Sequence, residues 1–388
     1  MPASAAPPAH ARVQALDLLR LFAALAVVAY HYTVRGGADD HLTWLTVPEV
    51  GAVSQYGFLG VQLFFVISGF VIAFSAEGRT MREFFVARAA RIYPGFIACM
   101  TLTFVVLLVF GAPEFHASIG QWLANLAIVA PAAKQPFMDG AYWSIVYEIV
   151  FYVWVAALIA SGLFPRHLPA IVLGWLAVSL ANELFLGSGA VRRLFLTDES
   201  GFFAAGVMLY MAFSGRRGPA TWALLIAATA LGAFQADWSA DWNRQHFGIA
   251  LPHLTLMICG IAAVAVVAAC LTIRRLPLPA TLILAIGGLT YPLYLLHQMI
   301  GFTIFNRLQG VAPAGLIVAG TILLMLVAAW VVYRFVERPG QKLAKRFLSR
   351  ILRLPARQPA KPATAFAIPV FGPASLPRAP RAMPSSTT

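Results

Sequence analysis

The stretch Leu16-Asp17-Leu18-Leu19-Arg20-Leu21-Phe22, continuing from Ala23 to Tyr30 and closing on His31, decides the fold class. It is long and apolar enough to span a bilayer as a helix, yet it carries three ionisable groups. Charge is costly in hydrocarbon, so such groups mark function. Arg20 and His31 are eleven positions apart, about 1100° of helical rotation and about 20° from three full turns, so both point the same way. They are separated by about 16 Å along the axis. Asp17 lies one turn below Arg20 near the same stripe. One helix thus offers a charged column that ends on a titratable imidazole.

Working outward, the 388 residues are 60% hydrophobic and 11% charged, with a mean hydropathy of +0.78. Apolar runs of membrane-spanning length recur, which predicts an all-α polytopic membrane bundle. About ten spans are expected, near 14–34, 56–77, 92–111, 143–162, 168–187, 200–214, 219–235, 247–272, 280–305 and 312–336. The sixth and seventh are short, so they are expected to tilt or to be partly enclosed by the others. Trp122–Pro131 is too short to span and reads as re-entrant or interfacial. Asp17 and Arg20 interrupt the first apolar run early, so it reads as an uncleaved span rather than a signal peptide.

The net charge of +13 is distributed as membrane topology requires and does not call for nucleic acid. Loop 78–91 carries Arg79, Arg82, Arg88 and Arg91, later loops of the same parity carry Arg166, Arg216-Arg217 and Arg274-Arg275, and the stretch after 336 is basic. With ten spans these all fall on one side, which places both termini in the cytoplasm. The pair Arg192-Arg193 dissents. The basic run 338–353 is expected to sit against anionic lipid heads. Residues 355–388, rich in Pro, Ala and Ser, are expected to be disordered. Domain bounds follow: 1–10 as an N-terminal cytoplasmic segment, 11–340 as the membrane domain, and 341–388 as a basic, then Pro/Ala/Ser-rich, cytoplasmic tail. Cys99, Cys259 and Cys270 all fall in apolar segments with no CxxC spacing, so no disulfide and no metal site is inferred.

Further polar residues stand where apolar ones are expected. Arg88 and Arg91, in Arg88-Ala89-Ala90-Arg91-Ile92-Tyr93-Pro94, share a helix face at a membrane edge. Guanidinium forks suit phosphate oxygens; a topology anchor is the alternative. In Trp143-Ser144-Ile145-Val146-Tyr147-Glu148, Ser144 with Glu148 and Trp143 with Tyr147 are each four apart and form a polar, aromatic patch. Glu148 can orient an imidazole or hold a substrate hydroxyl, or pair structurally with an arginine. Ser68-Gly69, in the segment Gly60 to Phe70, reads first as close helix packing. In Tyr291-Pro292-Leu293-Tyr294-Leu295-Leu296-His297, Pro292 should bend the ninth span, and His297 is either a second functional imidazole or a hydrogen-bonded packing residue. Glu337 is expected to pair with a cytoplasmic arginine.

Taken in order and at this spacing, these segments resemble the acyltransferase-3 family of integral membrane acyltransferases, over roughly residues 11–340. The resemblance rests on Arg20 and His31 with ten residues between them, Phe64 to Phe70, the pair Arg88 and Arg91, Trp143-Ser144 with Glu148, and Tyr291, Tyr294 and His297. It implies transfer of an acetyl or other acyl group from acyl-CoA to a hydroxyl of a carbohydrate, a lipid-linked glycan or a small molecule, in a bacterial cytoplasmic membrane. It assigns His31 as general base, Arg20 to developing negative charge or to donor guidance, and Glu148 to the histidine tautomer or the acceptor. Arg88 and Arg91 would hold the phosphates of acyl-CoA; Asp17, Ser68, Trp143, Ser144, Tyr291 and His297 would support. Ser68 and Ser144 are candidate carriers for an acyl-enzyme relay, and nothing separates that route from direct transfer. The expected partners are acyl-CoA, the acceptor and membrane lipid, with no nucleic acid and no metal. A transporter or flippase would bury the same residue types. A regulatory or scaffold protein descended from an enzyme is a third reading.

Overall fold

The computed structural model describes residues 13–38, 42–128, 130–273 and 276–354. Asp39, Asp40, Arg274-Arg275 and the tail 355–388 lie outside the described residues. Fourteen α-helices follow in chain order: α1 (Gln14–Thr33), α2 (Pro48–Ser54), α3 (Gly60–Ala76), α4 (Met81–Phe110), α5 (Ile119–Leu126), α6 (Trp143–Ala160), α7 (Leu168–Ala181), α8 (Gly189–Phe195), α9 (Ser200–Phe213), α10 (Pro219–Phe247), α11 (His253–Thr272), α12 (Ala280–Arg307), α13 (Ala314–Val332) and α14 (Arg338–Ile351). Nine helical segments among the described residues are long and apolar enough to cross a membrane. The protein is a polytopic helical bundle.

The expected sixth span is α9, and its fourteen residues rise only about 21 Å, short of a ~30 Å hydrocarbon core. The bundle encloses it: every residue from Ser200 to Ala212 is buried, against α3 on one side and α10 on the other. Glycine makes the first contact possible. A Cβ on Gly206 would stand 2.1 Å from the Val66 carbonyl oxygen, and one on Gly69 would stand 2.2 Å from that of Phe203. Ser68-Gly69 is therefore a packing element on its glycine side, as helix contacts in membranes favour. Because the obstacle is backbone, the neighbour cannot swing away. Gly206→Ala is expected to destabilise the fold by about 3 kcal/mol or more, the upper range for an overfilled core. Thermal unfolding in detergent would show it, with Gly174→Ala, where nothing lies within 4 Å, as the unaffected control.

Two helices outrun their apolar cores. α4 begins eleven residues before the expected span, at a capping box in which the Thr80 hydroxyl accepts from Glu83 N and the Glu83 carboxylate accepts from Thr80 N. Pro94 consequently sits inside the helix, not in its first turn, and its ring faces Gly340 of α14. α10 continues past 235 to Phe247, since no helix breaker intervenes before Gly248, which takes φ 64° as a left-handed cap. The dissenting Arg192 has a local cause. It makes a two-pronged ion pair to Glu183, with Nε to Oε1 at 3.1 Å and a terminal nitrogen to Oε2 at 2.5 Å, and that carboxylate is 1% exposed. Arg192 is thus held in a structural ion pair.

Candidate active site

The N-terminal end of α1, the C-terminal end of α3, Arg91 of α4, the N-terminal end of α12 and the α13–α14 junction line a basic vestibule of about 710 Å3. Arg20, Arg79, Arg91, Arg334, Arg338 and Lys342 line it, against only two carboxylates, Asp17 and Glu337. Asp17 is buried, 3.7 Å from the Arg20 guanidinium. Glu337 is buried against Arg91, Gln341 Nε2 donates to the same oxygen, Oε1, at 2.8 Å, and the buried Oε2 has no hydrogen-bond partner among the described residues. The arginine expected for Glu337 is thus Arg91, one member of the expected phosphate pair.

Beyond the vestibule lies a cavity of about 210 Å3 between α1, α3, α4, α6 and α12. The two share Arg20 and Arg91 in their walls. Ser68, Arg88, Ser144, Glu148, Tyr291 and Tyr294 also face the inner cavity. Arg88 stands over the Tyr152 ring at 5.7 Å, and its buried Nε has no hydrogen-bond partner. Glu148 accepts from the Tyr152 hydroxyl at 2.5 Å. Trp143 stands behind this wall, edge-on to Phe65 and Tyr147. Tyr294 also lines the inner cavity; its hydroxyl is 2.7 Å from Ser144 Oγ and donates to the Ala141 carbonyl at 3.1 Å.

The two histidines line neither cavity, and the centroid of the Tyr294 ring stands 5.7 Å from that of His297. His31 at the end of α1 and His297 in the middle of α12 face each other with ring centroids 4.9 Å apart. His297 Nδ1 is 2.8 Å from the Tyr294 carbonyl, and a carbonyl only accepts, so Nδ1 carries the proton. Its Nε2 is then a lone pair. His31 Nδ1 is 2.9 Å from the Val27 carbonyl and 3.1 Å from that lone pair. Both neighbours accept, so His31 is also protonated on Nδ1. The hydrogen bonds leave one basic nitrogen unengaged, Nε2 of half-buried His31. The tautomer is fixed by Val27 and His297; Glu148, expected to set it, is engaged with Tyr152 instead.

Three side chains that the sequence did not single out hold His297 in place. Tyr32 donates to the His297 carbonyl at 2.7 Å, Tyr142 donates to the Leu295 carbonyl at 3.2 Å, and fully buried Asp139 accepts from Met299 N at 2.9 Å and from Ala141 N at 2.9 Å. Asp139 looks in sequence like one more loop acid. Its position just ahead of a helix start, in Asp139-Gly140-Ala141-Tyr142-Trp143, is a capping signal. Burial pushes its carboxyl up to about 7, against the pull of the two backbone donors. A proton that the unfolded chain releases near 3.8 is thus kept by the folded state until about 7. Through this group stability is greatest below the lower value and declines as pH rises across that window. Asp139→Asn is expected to flatten the fall of melting temperature between about pH 4 and about pH 7 relative to wild type. An equal fall in both proteins would show that Asp139 does not titrate there.

Among the described residues no group of three or more His, Cys, Asp or Glu side chains is placed to hold a metal ion. The family model described as "Acyltransferase domain", that of the acyltransferase-3 family, matches residues 13–334. The chain belongs to this family. Among curated proteins, it is similar to the acyltransferase MdmB of Streptomyces mycarofaciens, 24% identical over 389 residues, covering 88% of this chain and 94% of that one. It is also similar to the O-acetyltransferase OatA of Staphylococcus aureus (strain NCTC 8325 / PS 47), 25% identical over 377 residues, 84% of this chain and 57% of that one. An O-acetyl transferase of Shigella phage Sf6 is 25% identical over 182 residues, 43% of this chain and 52% of that one. No solved structure matches the chain. As a member of the acyltransferase-3 family, this membrane protein is an O-acyltransferase.

Proposed function

We propose that this acyltransferase-3 protein moves an acetyl or other acyl group from acyl-CoA to a hydroxyl of a carbohydrate or lipid-linked acceptor, with His31 as the general base. The unengaged Nε2 of His31 is the observation that carries this reading. The acceptor hydroxyl gives its proton to Nε2 as its oxygen attacks the thioester carbonyl. The carbon–sulfur bond breaks, and the departing sulfur takes the proton back from the imidazolium, leaving ester and free CoA thiol. His297 Nε2 and the Val27 carbonyl accept from Nδ1–H, which favours the imidazolium that forms in between.

The donor enters through the vestibule. Six cationic side chains there suit the phosphates of acyl-CoA. The column from Arg20 to His31, about 16 Å long, is the distance the donor's arm has to span. Arg20 is thereby assigned to donor guidance and not to the reacting carbonyl. Arg88, with a buried unsatisfied nitrogen in the inner cavity, is the stronger candidate of the arginine pair for a donor oxygen; Arg91 divides its donors between Glu337 and the ligand. Asp17 orients Arg20, Tyr291 lies under Arg91 with its ring centroid 5.3 Å away, and Ser68 and Ser144 flank the acyl path. Direct transfer is preferred to a relay. We place the vestibule, the basic loops and both termini in the cytoplasm of a bacterium, and the catalytic unit in residues 11–340. Purified protein in lipid nanodiscs is expected to release CoA thiol from acetyl-CoA when acceptor-bearing envelope lipids or glycans are added. A protein that translocates substrate without breaking the thioester would release none.

A further inference from the structure

We propose that α14 is an amphipathic anchor docked on the anionic surface of the bilayer, and that this docking holds the wall of the donor vestibule in place. Along α14, Leu343, Phe347 and Ile351 recur at four-residue intervals, so they share one face. They are 70%, 61% and 58% exposed, outside the apolar length of α13. The segment 338–351 carries five cations, Arg338, Lys342, Lys345, Arg346 and Arg350, and no acid. Arg338 and Lys342 stand roughly opposite the apolar stripe on the helical wheel. An apolar stripe backed by basic residues is the pattern of a helix lying in the headgroup region. Charge decides the occupant. Pairing the stripe with a second copy would bring two like-charged helices together, whereas an anionic leaflet complements the charge and accepts the stripe.

The same helix is tied to the vestibule. Arg338, Gln341 and Lys342 line that cavity. Gln341 also bonds the Glu337 carboxylate that grips Arg91, and Gly340 lies against Pro94 of α4. A lipid contact that steadies α14 therefore steadies Arg91 and the mouth through which the donor passes. The step from lipid to donor affinity rests on the acyl-CoA reading above; the docking itself does not.

The test uses the full chain reconstituted in phosphatidylcholine nanodiscs, with or without about a third phosphatidylglycerol. Backbone hydrogen exchange across 340–351 is expected to slow roughly tenfold in the anionic discs, while exchange in α12 stays unchanged. Leu343→Gln/Phe347→Gln/Ile351→Gln and, separately, Lys345→Gln/Arg346→Gln/Arg350→Gln are each expected to abolish that difference. In the same discs the KM for acetyl-CoA is expected to fall severalfold with anionic lipid for wild type only, with kcat unchanged. Exchange across α14 that ignores lipid charge, or protection that follows dimerisation seen in native mass spectrometry, overturns the docking. Lipid-sensitive exchange without any thiol release leaves the docking standing and sinks the donor assignment instead. Lipid-sensitive exchange with an unchanged KM overturns the coupling to the vestibule.

Discussion

His31→Ala is expected to lower acyl-CoA-dependent esterification by about 10²–10⁴-fold, the usual worth of a positioned general base, while the protein still inserts and folds. The fold should tolerate the change because His31 is half-buried and its ring is held by one carbonyl and one imidazole. Neither partner becomes a buried unpaired charge when the ring is removed. His297→Leu is the informative companion. Its loss removes the acceptor that faces Nδ1–H, but Nε2 of His31 keeps its lone pair, so the expected loss is smaller and the pH profile of kcat shifts. Mass spectrometry of envelope glycans and lipids from cells expressing each variant measures the acylation, and thiol release by the purified proteins across pH measures the profile. Normal acylation by membrane-localised His31→Ala would remove the base from the mechanism.

Arg91→Met is expected to destabilise the protein by about 3 kcal/mol, because it strands Glu337, whose side chain is 1% exposed, without its cation. The value belongs at the low end of the range for a broken buried pair, since Arg91 itself is 37% exposed. The double variant Arg91→Met/Glu337→Met removes both charges and should regain most of the stability, as replacement of buried ion pairs by apolar residues often does. It should not regain donor affinity: the KM for acyl-CoA is expected to stay roughly tenfold high, the scale of one lost charge-assisted hydrogen bond. Thermal melting and thiol-release kinetics on the same three proteins separate the two roles. Full kinetic recovery in the double variant would make Arg91 a structural residue only.

Much of this was legible in the chain. The Arg20–His31 spacing and the apolar runs are local patterns, and local periodicity survives folding; that Glu337 would meet an arginine was readable, but not that it is Arg91, 246 positions away. What the sequence hid is long-range. His31 and His297 are 266 positions apart, and whether His297 was packing or function depended on what stood opposite it. Asp139 bonds a backbone amide 160 residues away. The shortness of the sixth span pointed to its enclosure, and α9 is enclosed; the polar overrun of α10 escaped hydropathy, because a window reports greasiness and not neighbours. Glu148 was read toward the imidazole from type alone, and Tyr152, one turn on, takes it.

The contact between Tyr294 and Ser144 has a consequence for how two separate pools of reactants meet. Both residues line the inner cavity, whose walls include neither imidazole, and on the proposed donor path the acyl group meets this pair before it meets His31. On that path a donor that arrives first would be held short of the base for as long as the two Tyr294 hydrogen bonds stay made. A doorway this slight opens at little cost once an alcohol settles beside the base, which would make turnover wait on the guest that arrives last.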